Sequence, residues 1–156
     1  MTSTYTVERS RTIGAPPERV YPLIADFRQW PRWSPWEDVD PELQRSYSGA
    51  ESGVGAVYGW SGNRKAGAGR MEIVRAEPND VVEIDLQFEK PFKSRTTSTF
   101  LLEAAGDHTR VTWRMTGPRP ALMRLTQKFF DMDKLMGKDF DRGLDRMALV
   151  APAPDA

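Results

Sequence analysis

The side chains that could carry chemistry in this chain are few, and their surroundings restrict what they can do. There is no cysteine and one histidine, His108, which removes thiolate chemistry and disulfides and leaves too few ligands for an ordinary zinc site or a histidine-based triad. His108 follows Gly106-Asp107 between two strand-like segments, where a solvated hairpin turn is expected. Asp133 is the sharper candidate. Helical spacing sets it within the apolar arc of Phe129, Met136, Phe140 and Leu144, whereas Asp131, Asp139, Asp141 and Asp145 fall outside that arc or at its edge. A carboxylate facing an apolar interior must be paired, hydrogen-bonded or neutral. Two roles follow: a structural anchor tied to backbone amides or to Arg9, Arg11 or Arg70, or a group that binds a ligand or moves a proton. Tyr58 and Tyr21 are the other side chains that could transfer protons inside.

A second concentration is aromatic. The stretch FRQWPRWSPWEDVDP (27–41) holds Trp30, Trp33 and Trp36, separated by Pro31 and Pro35. Two prolines rule out a long regular helix, so the indoles must be held by an irregular or short helical corner.

Composition excludes several functions. The 156 residues suit one domain, 1–156, with an ordered core expected over about 4–150. Lys plus Arg and Asp plus Glu both total 22, so no charge excess points to nucleic acid. No long apolar run predicts stable membrane insertion, and the N-terminal MTSTYTVERS is not an apolar signal segment, which makes the cytoplasm the expected location. The glycines of GVGAVYG and GAGR sit in strand-like context and do not form a phosphate loop. No cofactor or metal is expected.

The elements that position these residues read in order. YTVERSRTI (5–13) is a strand. APPERVYPLIADF (15–27) is a helix kinked or shortened by Pro22, with Val20, Leu23, Ile24 and Phe27 at helical spacing. The tryptophan segment supplies a second short helical piece. About six strands follow from residue 43 to 116, with alternation clearest in VVEIDLQF (81–88) and TRVTWRMT (109–116). Val82, Ile84, Leu86 and Phe88 share one face, as do Val111, Trp113 and Met115. From 118 the period changes to helical, with Leu122, Leu125, Phe129, Met132, Met136, Phe140, Leu144 and Met147 forming a stripe to residue 149. Short turns between successive strands imply an antiparallel curved sheet, with the long helix covering its apolar face and a cavity between the two.

Four stretches, RTIGAPPERVYPLIADFRQWPRWSPWE, GVGAVYGW, GRMEIVRAEP and MDKLMGKDFDRGL, resemble the START-like (SRPBCC) superfamily, which includes polyketide cyclases, dehydrases and lipid-transfer proteins. The resemblance implies an α+β helix-grip fold, with the two short helices forming a V at the mouth of the cavity. Trp33 and Trp36 would then anchor that corner, and Trp30 or Trp36 would border the cavity. The expected cavity residues are drawn from Trp30, Trp36, Tyr58, Trp60, Ile84, Leu86, Trp113, Phe129, Asp133 and Met136. Three functions fit: binding or transport of a small hydrophobic molecule (a lipid, polyketide or aromatic metabolite), a cyclase, aromatase or dehydratase using cavity shape and one acid or base, and a co-chaperone-like interaction module.

Overall fold

The structure, a computed structural model, describes residues 4–36, 40–63, 66–90, 93–118 and 132–151, with side chains of the C-terminal helix described from Met136 onward. Ten residues form the first strand, β1 (Thr4–Ile13), followed by helix α1 (Pro17–Ala25) and a 3-10 helix (Phe27–Arg32). Six strands come next: β2 (Gln44–Gly49), β3 (Ala56–Ser61), β4 (Ala68–Glu77), β5 (Val81–Lys90), β6 (Ser94–Ala105) and β7 (His108–Pro118). Helix α2 (Met132–Val150) closes the described chain.

The seven strands make one antiparallel sheet in the order β1-β7-β6-β5-β4-β3-β2. Hairpins join β2 through β7 in sequence, while β1 pairs with β7 from Thr4 opposite Pro118 to Ile13 opposite Thr109. Register shifts between Ala68 and Gly69, and between Ile73 and Arg75, interrupt β4. Bulges of this kind add twist and bend a sheet, which lets it wrap around a helix.

The alternation works as the sequence indicates. Val82, Ile84, Leu86, Val111, Trp113 and Met115 are all buried on the concave face. Phe140, Leu144 and Met147 of α2 meet them and are themselves fully buried. Phe140 lies flat on Trp113, with centroids 4.1 Å apart and planes 4° from parallel. Gly143 sets this closeness: a Cβ there would stand 3.1 Å from Trp113 Cζ3 and 2.9 Å from Pro35 Cδ. Along the sheet edge, Arg9 and Arg11 of β1 turn toward α2 and pair with Asp141 and Asp145, whereas Arg70 pairs with Glu72 of its own strand. This is a helix-grip fold. Leu122, Leu125 and Phe129 lie outside the described residues, as do the side chains of Met132 and Asp133, so the apolar stripe is seen from Met136 onward.

Candidate functional site

The tryptophan segment solves a backbone problem. A helix end leaves its last carbonyls without intrahelical partners, and α1, shortened to nine residues around Pro22, ends inside the protein. Trp33 Nε1 donates to the Leu23 carbonyl at 2.8 Å, and Trp30 Nε1 donates to the Ile24 carbonyl at 2.9 Å. The backbone N–H groups of Asp26 and Gly53 serve the carbonyls of Pro22 and Ala25. Two of the four terminal carbonyls are therefore capped by indoles. The rings, fixed at their nitrogen ends, are left to pack or to face a void.

Their fates diverge. Trp33 is fully buried and packs edge-on against Phe100 and Trp113. Trp30 and Trp36 form part of the wall of a cavity of about 250 Å³ between the 3-10 corner, the sheet and α2. Trp36 Nε1 donates to Asp139 Oδ2 of α2 at 3.1 Å, which ties this wall to the helix. Across the cavity stand Tyr58 and Trp60 of β3, Met71 of β4, Leu86 and Phe88 of β5, Met115 of β7 and Met136 of α2. Pro31, Ser34, Leu43 and Ala66 complete the wall.

Trp60 reaches its place because its cross-strand neighbour is Gly69, where a Cβ would come within 2.7 Å of the indole Cη2. Its Nε1 donates to the Ala66 carbonyl at 2.9 Å, and its ring stacks beside Tyr58 with centroids 6.1 Å apart. Phe88 meets Trp60 edge-on at 5.6 Å. The wall is thus aromatic on two sides and thioether-rich on others. Methionine adapts its shape at little cost, so three of them give an apolar site that can adjust to its occupant.

Of the ten residues expected at the cavity, Trp30, Trp36, Tyr58, Trp60, Leu86 and Met136 are in its wall. Ile84 and Trp113 are not: both are buried in the packed core, where Trp113 is sandwiched between Phe100 and Phe140. Phe129 lies outside the described residues. Asp133 lies one turn before Met136 in α2, and its side chain is likewise outside them. Sequence reasoning put Phe88 and Met115 on the correct strand faces without naming them as wall residues, and it missed Pro31, Ser34, Leu43, Ala66 and Met71.

The electrostatics of the wall are sparse. Tyr58 is the one titratable side chain among its described residues. Tyr21 is partly buried away from the cavity, with its phenol raised above the ordinary value by desolvation. His108 is exposed at the start of β7. Among the described residues no group of histidine and acidic side chains could hold a metal, and no helix is long and apolar enough to cross a membrane.

The fold and its apolar interior correspond to a family. The chain belongs to the family described as polyketide cyclase / dehydrase and lipid transport, whose pattern matches residues 4–151. No curated protein matches the chain by sequence. Among solved structures, a Mesorhizobium loti protein superposes with a TM-score of 0.69 at 19% identity, covering 97% of this chain and 100% of its own. DynU16, a protein of the dynemicin biosynthetic locus, gives 0.64 at 17% identity over 95% of this chain and 47% of its own. The Aha1 dimer from Colwellia psychrerythraea gives 0.58 at 16% identity, covering 87% of this chain and 90% of its own. At these identities the likeness is one of fold.

Proposed function

We propose that the protein binds a small hydrophobic molecule in the cavity between the tryptophan corner, the sheet and α2. The observation that carries this reading is a cavity of about 250 Å³ whose wall is aromatic and thioether surface, set beside a contiguous cluster of buried hydrophobic residues. A cavity of about 150 Å³ accommodates benzene, so this one suits a molecule of about two fused rings. A long-chain lipid would have to leave part of its length outside. Burying about 300 Å² of apolar ligand surface gains roughly 7 kcal/mol before ordering costs. Those costs bring the expected affinity to micromolar or weaker.

Binding is favoured over catalysis by the chemistry of the wall. Cyclisation or dehydration needs a placed acid or base in addition to shape. Among described wall residues only Tyr58 offers a titratable group, with Asp133 the remaining candidate on α2. The family description spans both activities, so the cyclase or dehydratase reading stands second.

Native mass spectrometry of freshly purified protein tests the proposal directly, with a co-purified small molecule as the expected result. Leu86→Trp, which extends a wall side chain into the void, is expected to abolish that adduct and to leave the protein folded by circular dichroism. An adduct retained at full occupancy in Leu86→Trp would place the ligand elsewhere and overturn the reading.

A further inference from the structure

The polar groups of the cavity wall can be followed one by one among the described residues. The indole N–H groups of Trp30, Trp36 and Trp60 are committed to Ile24, Asp139 and Ala66. Tyr58 is engaged with its own neighbours. These side chains therefore offer a ligand their faces.

Ser34 differs. It lines the cavity, is 4% exposed, and its Oγ accepts the backbone N–H of Trp36 at 3.3 Å. A hydroxyl carries one donor and two acceptor lone pairs, so accepting that bond leaves its proton uncommitted. No described residue accepts that proton. The surroundings also hold Ser34 in place. Its carbonyl accepts Arg146 Nη1 of α2 at 2.9 Å, and the following Pro35 restricts its backbone to extended conformations. A fixed donor in an apolar wall favours a molecule with an acceptor beside it and works against an equally shaped hydrocarbon, which leaves the donor unpaired.

We infer that Ser34 is the specificity-determining residue of the cavity, its hydroxyl donating to a carbonyl or ether oxygen on the bound molecule. This rests on the cavity being a ligand site, and the test separates the two statements.

Acetylnaphthalene and isopropenylnaphthalene have nearly the same shape and differ in carrying a C=O or a C=CH2 group. Both can be titrated against intrinsic tryptophan fluorescence, because three indoles face the cavity. The informative quantity is the ratio of the two affinities, which cancels changes in cavity volume that affect both probes. Ser34→Ala is expected to lower the ketone-to-hydrocarbon ratio about three- to tenfold, the effect of one net hydrogen bond. Ser34→Thr, which keeps the hydroxyl, is expected to restore it. Should Ser34→Ala not fold, Ser34→Cys supplies a weak donor of similar size and reads the same ratio. Saturable binding of both probes with an unchanged ratio in the variant overturns the role of Ser34 and leaves the cavity a binding site. Binding of the ketone alone is the extreme of the expected ratio and supports the role of Ser34, whereas failure of both probes to bind wild-type protein overturns both statements.

Discussion

Two glycines of α2 give a paired test of how tightly the helix is held. At Gly143 a Cβ would stand 2.9 Å from Pro35 Cδ and 3.1 Å from Trp113 Cζ3. Neither atom is the end of a flexible chain. Trp113 cannot retreat, since Phe140 and Phe100 stack on it at 4.1 and 4.8 Å. Carbon atoms prefer separations of about 3.5–4.0 Å, so Gly143→Ala must push the helix outward by about half an ångström or more. Overpacking of this kind costs about 1–3 kcal/mol, and replacing glycine by alanine within a helix returns about 1 kcal/mol. The expected net is a loss of about 1 kcal/mol, with the upper end near 2. At Gly137 the three atoms nearest an added methyl all belong to the Arg9 guanidinium. That group can swing aside, at the expense of contacts that include its hydrogen bond to the Glu8 carbonyl and its partly exposed ion pair to Asp141, the latter worth under about 1 kcal/mol. Gly137→Ala is therefore expected to be neutral to slightly stabilising. Urea unfolding of both variants and wild type, followed by far-ultraviolet circular dichroism, reads the difference as a shift in midpoint at constant slope. If Gly143→Ala proves as stable as Gly137→Ala, the close packing of α2 on Trp113 is not what holds the helix.

Other substitutions probe separate features. Thr96 Oγ1 is buried with no hydrogen-bond partner among the described residues, so Thr96→Val exchanges an unpaired hydroxyl for a methyl of the same shape. It is expected to raise stability by up to about 1 kcal/mol, seen as a higher melting temperature, and a clear loss would mean that the hydroxyl is satisfied in solution. On the convex face, burial alone would raise the Asp85 carboxyl, but hydrogen bonds from Arg95 and Gln87 and the charges of Arg95 and Arg70 outweigh it and hold the group below its ordinary value. A depressed carboxylate contributes stability above its unfolded pKa of about 3.9 and loses it as pH falls through the lower folded value. Asp85→Asn should therefore be slightly less stable than wild type at neutral pH, with the gap closing below about pH 4 in a melting series. A gap independent of pH would assign the loss to packing.

How far the sequence could be read depended on what each pattern encodes. Alternation in β5 and β7 identified the buried face because side chains on a strand change sides at every residue. It carried no information about how far along the strand the helix covers that face. Residues two apart on a strand are separated by about 7 Å, which is enough to take one into the core and the next into the cavity. That step separates Ile84 from Leu86, and Trp113 from Met115. The three tryptophans announced a corner, but the task of Trp30 and Trp33 in capping the carbonyls of α1 depends on where that helix ends, and propensity fixes helix ends poorly. Ser34 gave no signal at all. A serine between a tryptophan and a proline reads as a turn residue, and its place in the cavity wall comes from contacts with α2 more than a hundred positions away.

The place of β1 in the sheet has a consequence for how the molecule comes into being. Its strand partner is β7 and its main helical contact is α2, so this strand finds its principal neighbours among elements about a hundred residues or more further along the chain. During synthesis β2 through β6 can zip together as successive hairpins as they emerge, while Val7 and Ile13 of β1 have no partner strand to shelter beside. Contacts this distant in sequence slow folding, since a long loop must close before they are rewarded. The cavity acquires its far wall, Met115 and then Met136, at the same late stage. The cavity wall thus cannot be complete until β7 and α2 have both been made, and a small molecule that occupies it can assist folding only at the docking of β1 and α2.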